Sequence, residues 1–212
     1  MTSVGVDEAG KGPVLGPMVC AAVRAPPEAL SGAGDSKTLS PDRRNRVAAR
    51  LHDDDRVAVG VEVVGVDRID DPATDMNGLT LSGQAAAVRA VVQAGDRVVA
   101  DAADVDAERF GRRLADAVGD GVEVVAEHRA DEARPIVGAA SVVAKVERNR
   151  RVAALEATYG DIGSGYPSDP TTRAFLREYL RDNGCVPACA RSSWSTCADL
   201  LAAAEQSALD EF

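Results

Sequence analysis

The chain has almost no lysine. Of its 24 basic side chains, 21 are Arg and only 3 are Lys, against 22 Asp and 12 Glu, for a formal charge of −10 over 212 residues. Aromatic residues amount to 3%, and there are 2 His, 4 Cys and 1 Trp. No apolar stretch reaches the ~18 residues of a membrane span, so no membrane association is expected. The opening MTSVGVDEAG lacks the basic and apolar regions of a secretion signal, and a cytoplasmic location is expected. The histidines, His52 and His128, lie far from Cys185-x3-Cys189, so free thiols are preferred to half of a zinc site. A hydrophobic content of 45% argues against disorder and suits one domain, or one domain with an appendage. An acidic, lysine-poor surface suits concentrated salt, where a short screening length suppresses self-repulsion. A GC-rich coding bias would leave a similar trace. The same charge argues, at first sight, against a nucleic-acid partner.

Hydrophobic patterning orders the elements. Val4–Val6 reads as a short strand ending at Asp7, Val14–Val23 as a second extended segment, and Val57–Val66 as an alternating strand. Arg97–Ala100 is a short strand stopping at Asp101, and Val122–Glu127 is a fifth. Pro41–Leu51 reads as a helix with Ser40 as its N-cap and Pro41 in its first position. Further helices are expected over Leu79–Gln93, Asp106–Val118, Val137–Tyr159, Thr171–Arg181 and Ser195–Leu209. Gly160–Pro170 is the clearest loop. Five strands with interspersed helices indicate an α/β fold.

Carboxylates at the ends of apolar strands single out Asp7, Glu8, Asp101 and Asp131. Lone charges there are costly unless paired or metal-bound. Gathered at one end of a sheet, they would bind a hard dication, Mg2+ or Mn2+, and two such ions can flank a phosphate. Any single acid among 34 is more simply a solvated surface group. Asp7 and Glu8, being adjacent, would point to opposite faces of a regular strand, so the chain must twist or end there if both reach metal. A rival motif, Gly5-x4-Gly10-Lys11, approaches a phosphate-binding loop. Gly12 has no hydroxyl for Mg2+, however, and Pro13-Val-Leu-Gly-Pro17 reads as extended where that loop would enter a helix.

Taken in order, the words VGVDEAGKGPVLGPMVCAAV (4–23), DSKTLS (35–40), VVADAADV (98–105), ADEARPIVGAASVVAKVERNR (130–150), GSGYPSDP (163–170) and RSSWST (191–196) resemble those of ribonuclease HII, the type 2 ribonuclease H. The last two are similar to words of the archaeal and eukaryotic members. The resemblance implies an RNase H-like fold: a five-stranded mixed sheet flanked by helices, with a catalytic domain over 1–160 and a helical C-terminal extension over 161–212. It implies hydrolysis of the RNA strand of RNA–DNA hybrids and incision at ribonucleotides embedded in duplex DNA, with Asp7, Glu8, Asp101 and Asp131 binding Mg2+ or Mn2+ and products ending in 5′-phosphate and 3′-hydroxyl. A non-catalytic hybrid-binding protein on the same fold is the alternative, and retention of the whole quartet argues against it.

Further residues are assigned on the same resemblance. Gly10, Lys11 and Gly12 form a turn whose backbone approaches the ribose, and Tyr166 stacks on the sugar at the RNA–DNA junction. Ser36, Lys37, Ser141 and Lys145 hold phosphate, the last two on one helix face by their i, i+4 spacing. Asn77 is a weaker candidate for a nucleic-acid contact, Arg148 and Arg150 reach the backbone further out, and Trp194 anchors a core. The family usually has Arg where this chain has Lys11, exchanging a planar fork for a point charge. A monomer is expected, and the C-terminal SALDEF gives no support for binding a replication clamp. All three lysines fall inside these words, which leaves the general acidity to the protein body.

Overall fold

In the computed structural model of the chain, residues 2–32 and 36–210 are described, with 207–210 described as backbone only. Asp35, which opens the DSK word, lies outside the described residues. The strands are β1 (Ser3–Ala9), β2 (Met18–Ala25), β3 (Ala58–Val64), β4 (Arg97–Asp101) and β5 (Glu123–Glu127). They form one sheet in the order β3-β2-β1-β4-β5. β1 is antiparallel to β2 and parallel to β4, β2 is antiparallel to β3, and β4 is parallel to β5. This is the mixed five-stranded sheet expected from the sequence.

The helices are α1 (Pro41–Asp53), α2 (Val66–Ile69), α3 (Met76–Arg89), α4 (Ala107–Val118), α5 (Ala130–Ala133), α6 (Pro135–Tyr159), α7 (Pro170–Asn183) and α8 (Ser195–Asp210). Ser40 caps α1, its hydroxyl accepting from the Arg43 amide, as its place before Pro41 predicts. Two expectations need correction. β1 does not end at Asp7 but continues through Glu8 to Ala9, paired to β2 throughout. Residues 14–17 precede β2 and do not belong to it, since Pro13 and Pro17 interrupt the hydrogen-bond ladder.

The chain forms two compact units, each drawn from separated segments. The first comprises residues 1–9, 18–64 and 76–148 and contains the sheet. On one face, α1 and α6 bury Val47, Leu51, Val137, Ala140 and Val143 with Ala21 and Val23 of β2. Gly5 makes this contact close: a Cβ there would lie 2.3 Å from the carbonyl oxygen of Ile136, so β1 and the start of α6 meet backbone to backbone. α3 lies on the other face, where a Cβ on Gly83 would come within 2.7 Å of Cys20 Sγ. Gly5 therefore serves helix–sheet packing, and residues 10–17 contain no helix, so the phosphate-loop reading fails on both counts.

The second unit comprises residues 10–17, 65–75 and 149–212. This grouping differs from a linear cut at residue 160, because two early segments join the C-terminal helices. Its core gathers Val14, Leu15, Ile162, Leu176, Leu180, Cys197 and Leu200, with Trp194 packed against it. Tyr159, Phe175 and Tyr179 form an aromatic trio with every pair of ring centroids 5.9 Å apart. The cysteines are free, and burial pushes the Cys189 and Cys197 thiols up to about 11.

Candidate active site

The β1–β4 ladder stops at Val6–Ala100. The next residue on β1 is Asp7, and the next on β4 is Asp101. Alternation along β1 turns Asp7 to the α6 face, with Gly5, and Glu8 to the α3 face. The two adjacent carboxylates do point to opposite faces, and β1 does not end there; what ends just before them is the β1–β4 ladder.

Asp7 is 4% exposed. Burial, and then the charges of Glu8 and Asp101, hold its carboxyl well above the usual range, against a hydrogen bond with Ser141 that favours the ionised form. Asp101 is raised mainly by burial, although its Oδ1 accepts from the Ala130 amide at 2.7 Å. That amide is presented by Arg129, the one non-glycine residue with positive φ among those described (57°). This left-handed residue turns the chain from β5 into α5, which places Asp131 in a helical turn and not directly after a strand. Asp131 is 3% exposed; its Oδ2 lies 3.2 Å from Lys37 Nζ, and its Oδ1 is buried without a hydrogen-bond partner.

Lys37 also donates to Glu132 Oε1 at 3.0 Å, the main cause of its raised pKa. Lys145 Nζ donates to Ser141 Oγ at 2.7 Å and to Ser36 Oγ, and the two hydroxyls lie 2.9 Å apart. Burial lowers the Lys145 pKa, opposed by the charges of Asp7 and Asp131. Ser36, Asp7, Ser141 and Lys145, drawn from three separate words, thus meet in one polar network within the first unit. Asn77 is exposed on the first turn of α3.

Among the described residues, no three His, Cys, Asp or Glu side chains converge as a ready-made metal cage. Mutual repulsion of the carboxylates and the Lys37 ammonium beside Asp131 account for their spread. The donor set nonetheless fits a hard dication: every donor is a carboxylate oxygen, one buried oxygen of Asp131 lacks a partner, and Asp7 is held in a field that a cation would relieve.

In the second unit, Gly10, Lys11 and Gly12 form the turn after β1. A Cβ on Gly12 would lie 3.6 Å from the Tyr166 ring, so the structure brings these two sequence-predicted residues together. Tyr166 is 43% exposed, one of the few large apolar side chains at the surface. Sequence reasoning missed Arg191. Fully buried, it donates to the carbonyl oxygens of Gly10 (2.6 Å), Lys11 (2.9 Å) and Gly16 (3.0 Å), and lies 5.1 Å above the Trp194 ring. Its only signal was membership of RSSWST; an arginine in an arginine-rich chain otherwise reads as surface. Gln84 was also missed: its Nε2 donates to Glu8 Oε2 at 2.8 Å and to the Asp101 carbonyl at 3.1 Å.

Solved structures share this architecture. Ribonuclease H2 from Pyrococcus horikoshii OT3 superposes with a TM-score of 0.87 at 35% identity, covering 95% of this chain and 97% of that one. The structure of the PCNA:RNase HII complex from Archaeoglobus fulgidus gives 0.84 at 38% identity, covering 93% and 96%. Ribonuclease HII of Haloarcula marismortui is 59% identical over 98% of this chain and 99% of its own length. The fold and these relatives define a metal-dependent endonuclease of the ribonuclease H class. The family model for Ribonuclease HII matches residues 4–197, and the chain belongs to that family. Its activity is that of a ribonuclease H on RNA–DNA hybrids.

Proposed function

We propose that the enzyme also incises duplex DNA at single embedded ribonucleotides, that Asp7, Glu8, Asp101 and Asp131 hold its catalytic metal, and that it works in a saline cytoplasm as a monomer. The observation behind the ribonucleotide reading is the pairing of the Gly10-Lys11-Gly12 turn with Tyr166. The 2′-hydroxyl is what distinguishes RNA from DNA, and a backbone turn without side chains can approach it closely. The exposed Tyr166 ring beside that turn supplies a face for the sugar that follows. Lys11 brings one positive charge without the planar fork of Arg, so phosphate clamping is weaker while backbone recognition persists.

Asp7, Glu8, Asp101 and Asp131 would hold Mg2+ or Mn2+, which would supply Lewis-acid chemistry for hydrolysis of the scissile phosphodiester to 5′-phosphate and 3′-hydroxyl ends. The four carboxylates hold and orient that charge. Lys145, anchored by Ser36 and Ser141, places an ammonium near Asp7 that balances carboxylate charge and attracts phosphate. Asp131 can offer a metal its unpartnered Oδ1 while Oδ2 keeps Lys37, whose ammonium then stands beside the site where a phosphate would lie. Arg150 is exposed and suited to more distant phosphates, whereas Arg148 is buried. The abundance of acid and the Haloarcula marismortui relative support work at high salt.

One assay tests these readings: cleavage of a labelled duplex carrying one ribonucleotide, compared with a plain hybrid, in EDTA, Mg2+ or Mn2+. Asp101→Asn should lose more than about 100-fold on both substrates with an unchanged circular dichroism spectrum, since even outer partners of a metal are worth 10–100-fold. Tyr166→Ala should lose more on the single ribonucleotide than on the hybrid. Full activity of Asp101→Asn removes Asp101 from the metal site, and equal losses for Tyr166→Ala remove the junction role.

A further inference from the structure

Gln84 is a fully buried primary amide on α3, on the helix face it shares with the buried Thr80, Ala87 and Val88. An amide so placed costs stability unless its hydrogen bonds are made. Both donors are engaged, by the Glu8 carboxylate at 2.8 Å and the backbone carbonyl of Asp101 at 3.1 Å. Since both partners are acceptors, the NH2 group must face them, and the amide has one workable orientation. Its Oε1 is buried with no hydrogen-bond partner. A side chain retained for packing alone would not need an amide that leaves its own oxygen unsatisfied. The two groups it joins stand at the point where the β1–β4 ladder has just ended, so Gln84 replaces the missing backbone bridge with a side-chain one.

We propose that Gln84 is a positioning residue for the metal site: it fixes one oxygen of Glu8 and the end of β4, so that the other Glu8 oxygen is presented to the cation in a set orientation. The proposal rests on the reading of Glu8 as a metal ligand. Glu8 is the carboxylate that most needs such help, because strand alternation sends it to the α3 face, away from Asp7. Gln84 recovers for the site a side chain that the geometry of β1 would otherwise direct elsewhere. A carboxylate held by a neutral donor keeps its full negative charge for the metal, whereas an Arg or Lys in the same place would compete with it.

The test is isothermal titration of the full-length protein with Mn2+ alone, without nucleic acid, for the parent, Gln84→Leu, Gln84→Met, Glu8→Gln and the double variant Glu8→Gln/Gln84→Leu. Both Gln84 variants should bind Mn2+ about 10–100-fold more weakly, the range for outer partners of metal ligands, with a parent-like circular dichroism spectrum. In the Glu8→Gln background, Gln84→Leu should have little further effect. Met is unbranched and close in volume, so it keeps the test available if the branched Leu does not fold. Parent-like Mn2+ affinity in a folded Gln84 variant, with Glu8→Gln weakened, overturns the positioning role and leaves Glu8 as a ligand. Parent-like affinity in Glu8→Gln overturns the reading of Glu8 and the proposal with it. An undiminished Gln84→Leu effect in the double variant shows that Gln84 does not act through Glu8, which also overturns it.

Discussion

Asp7 shows what a buried carboxylate costs its own fold. It is buried beside Glu8 and Asp101 with its pKa raised, chiefly by desolvation. A carboxyl whose folded-state pKa exceeds its unfolded value contributes most below the unfolded value, and that contribution is lost as pH rises through the folded value. Above its folded-state value, then, ionised Asp7 strains the metal-free protein. Asp7→Asn should raise the melting temperature in EDTA at about pH 8, with each kcal/mol recovered worth about 2–4 °C for a chain of this size. The gap should close as pH falls and Asp7 itself becomes neutral. A parent that melts higher than the variant at about pH 8 would contradict this account. The same residue scale explains what sequence could not find. Asp7, Glu8, Asp101 and Asp131 stood out because acids next to apolar runs are anomalous and because six words in order match a family, although β1 runs past Asp7 and Glu8 and Asp131 lies in α5. Gln84 sits in LSGQAAAV, where nothing marks an amide as different from a surface residue until the helix face is known.

At the scale of elements, the substrate turn is held from a distant part of the chain. Arg191 satisfies three carbonyls of residues 10–16 with one guanidinium, and Asp70 in turn accepts from the backbone and hydroxyls of Ser192 and Ser193. Lysine cannot reproduce this fork. Arg191→Lys should leave at least one buried carbonyl unmatched, a cost of about 1–3 kcal/mol, seen as a lower melting temperature. The same variant should discriminate less between single-ribonucleotide and all-DNA duplexes. An unchanged melting temperature and unchanged discrimination would mean that the turn keeps its shape without the clamp. The RSSWST word was visible in the sequence as a family feature, but its physical task was not, because the partner segment lies some 175 residues earlier.

For the molecule as a whole, the charge of −10 ceases to be an objection once the lysines are located. Lys37 and Lys145 belong to the carboxylate network, and Lys11 to the substrate turn. Phosphate affinity falls with salt in proportion to the number of phosphates neutralised. If the three lysines supply those contacts, the slope of log affinity against log KCl should be no steeper than about −3. Stability should rise over the same KCl series as repulsion among the 34 acids is screened. Hybrid binding and thermal melting measured together would check both. A much steeper slope would mean that surface arginines carry the binding, and a falling melting temperature would contradict adaptation to salt.

The sequence by itself determined the order of the five strands and of the longer helices, the cap on α1 and the family, because periodicity, capping and motif spacing are local properties of the chain; the four-residue helices α2 and α5 are too short to leave such a pattern. Only the tertiary structure decided where the β1–β4 ladder stops, that β1 runs on to Ala9, that Arg129 turns Asp131 into a helix, that Gln84 joins Glu8 to the Asp101 carbonyl, and that Arg191 gathers the carbonyls of Gly10, Lys11 and Gly16. Those facts depend on which strand lies beside which and on which donors reach which acceptors across long stretches of chain. Burial, which raises the cost of every unmatched polar group, then makes each such contact matter.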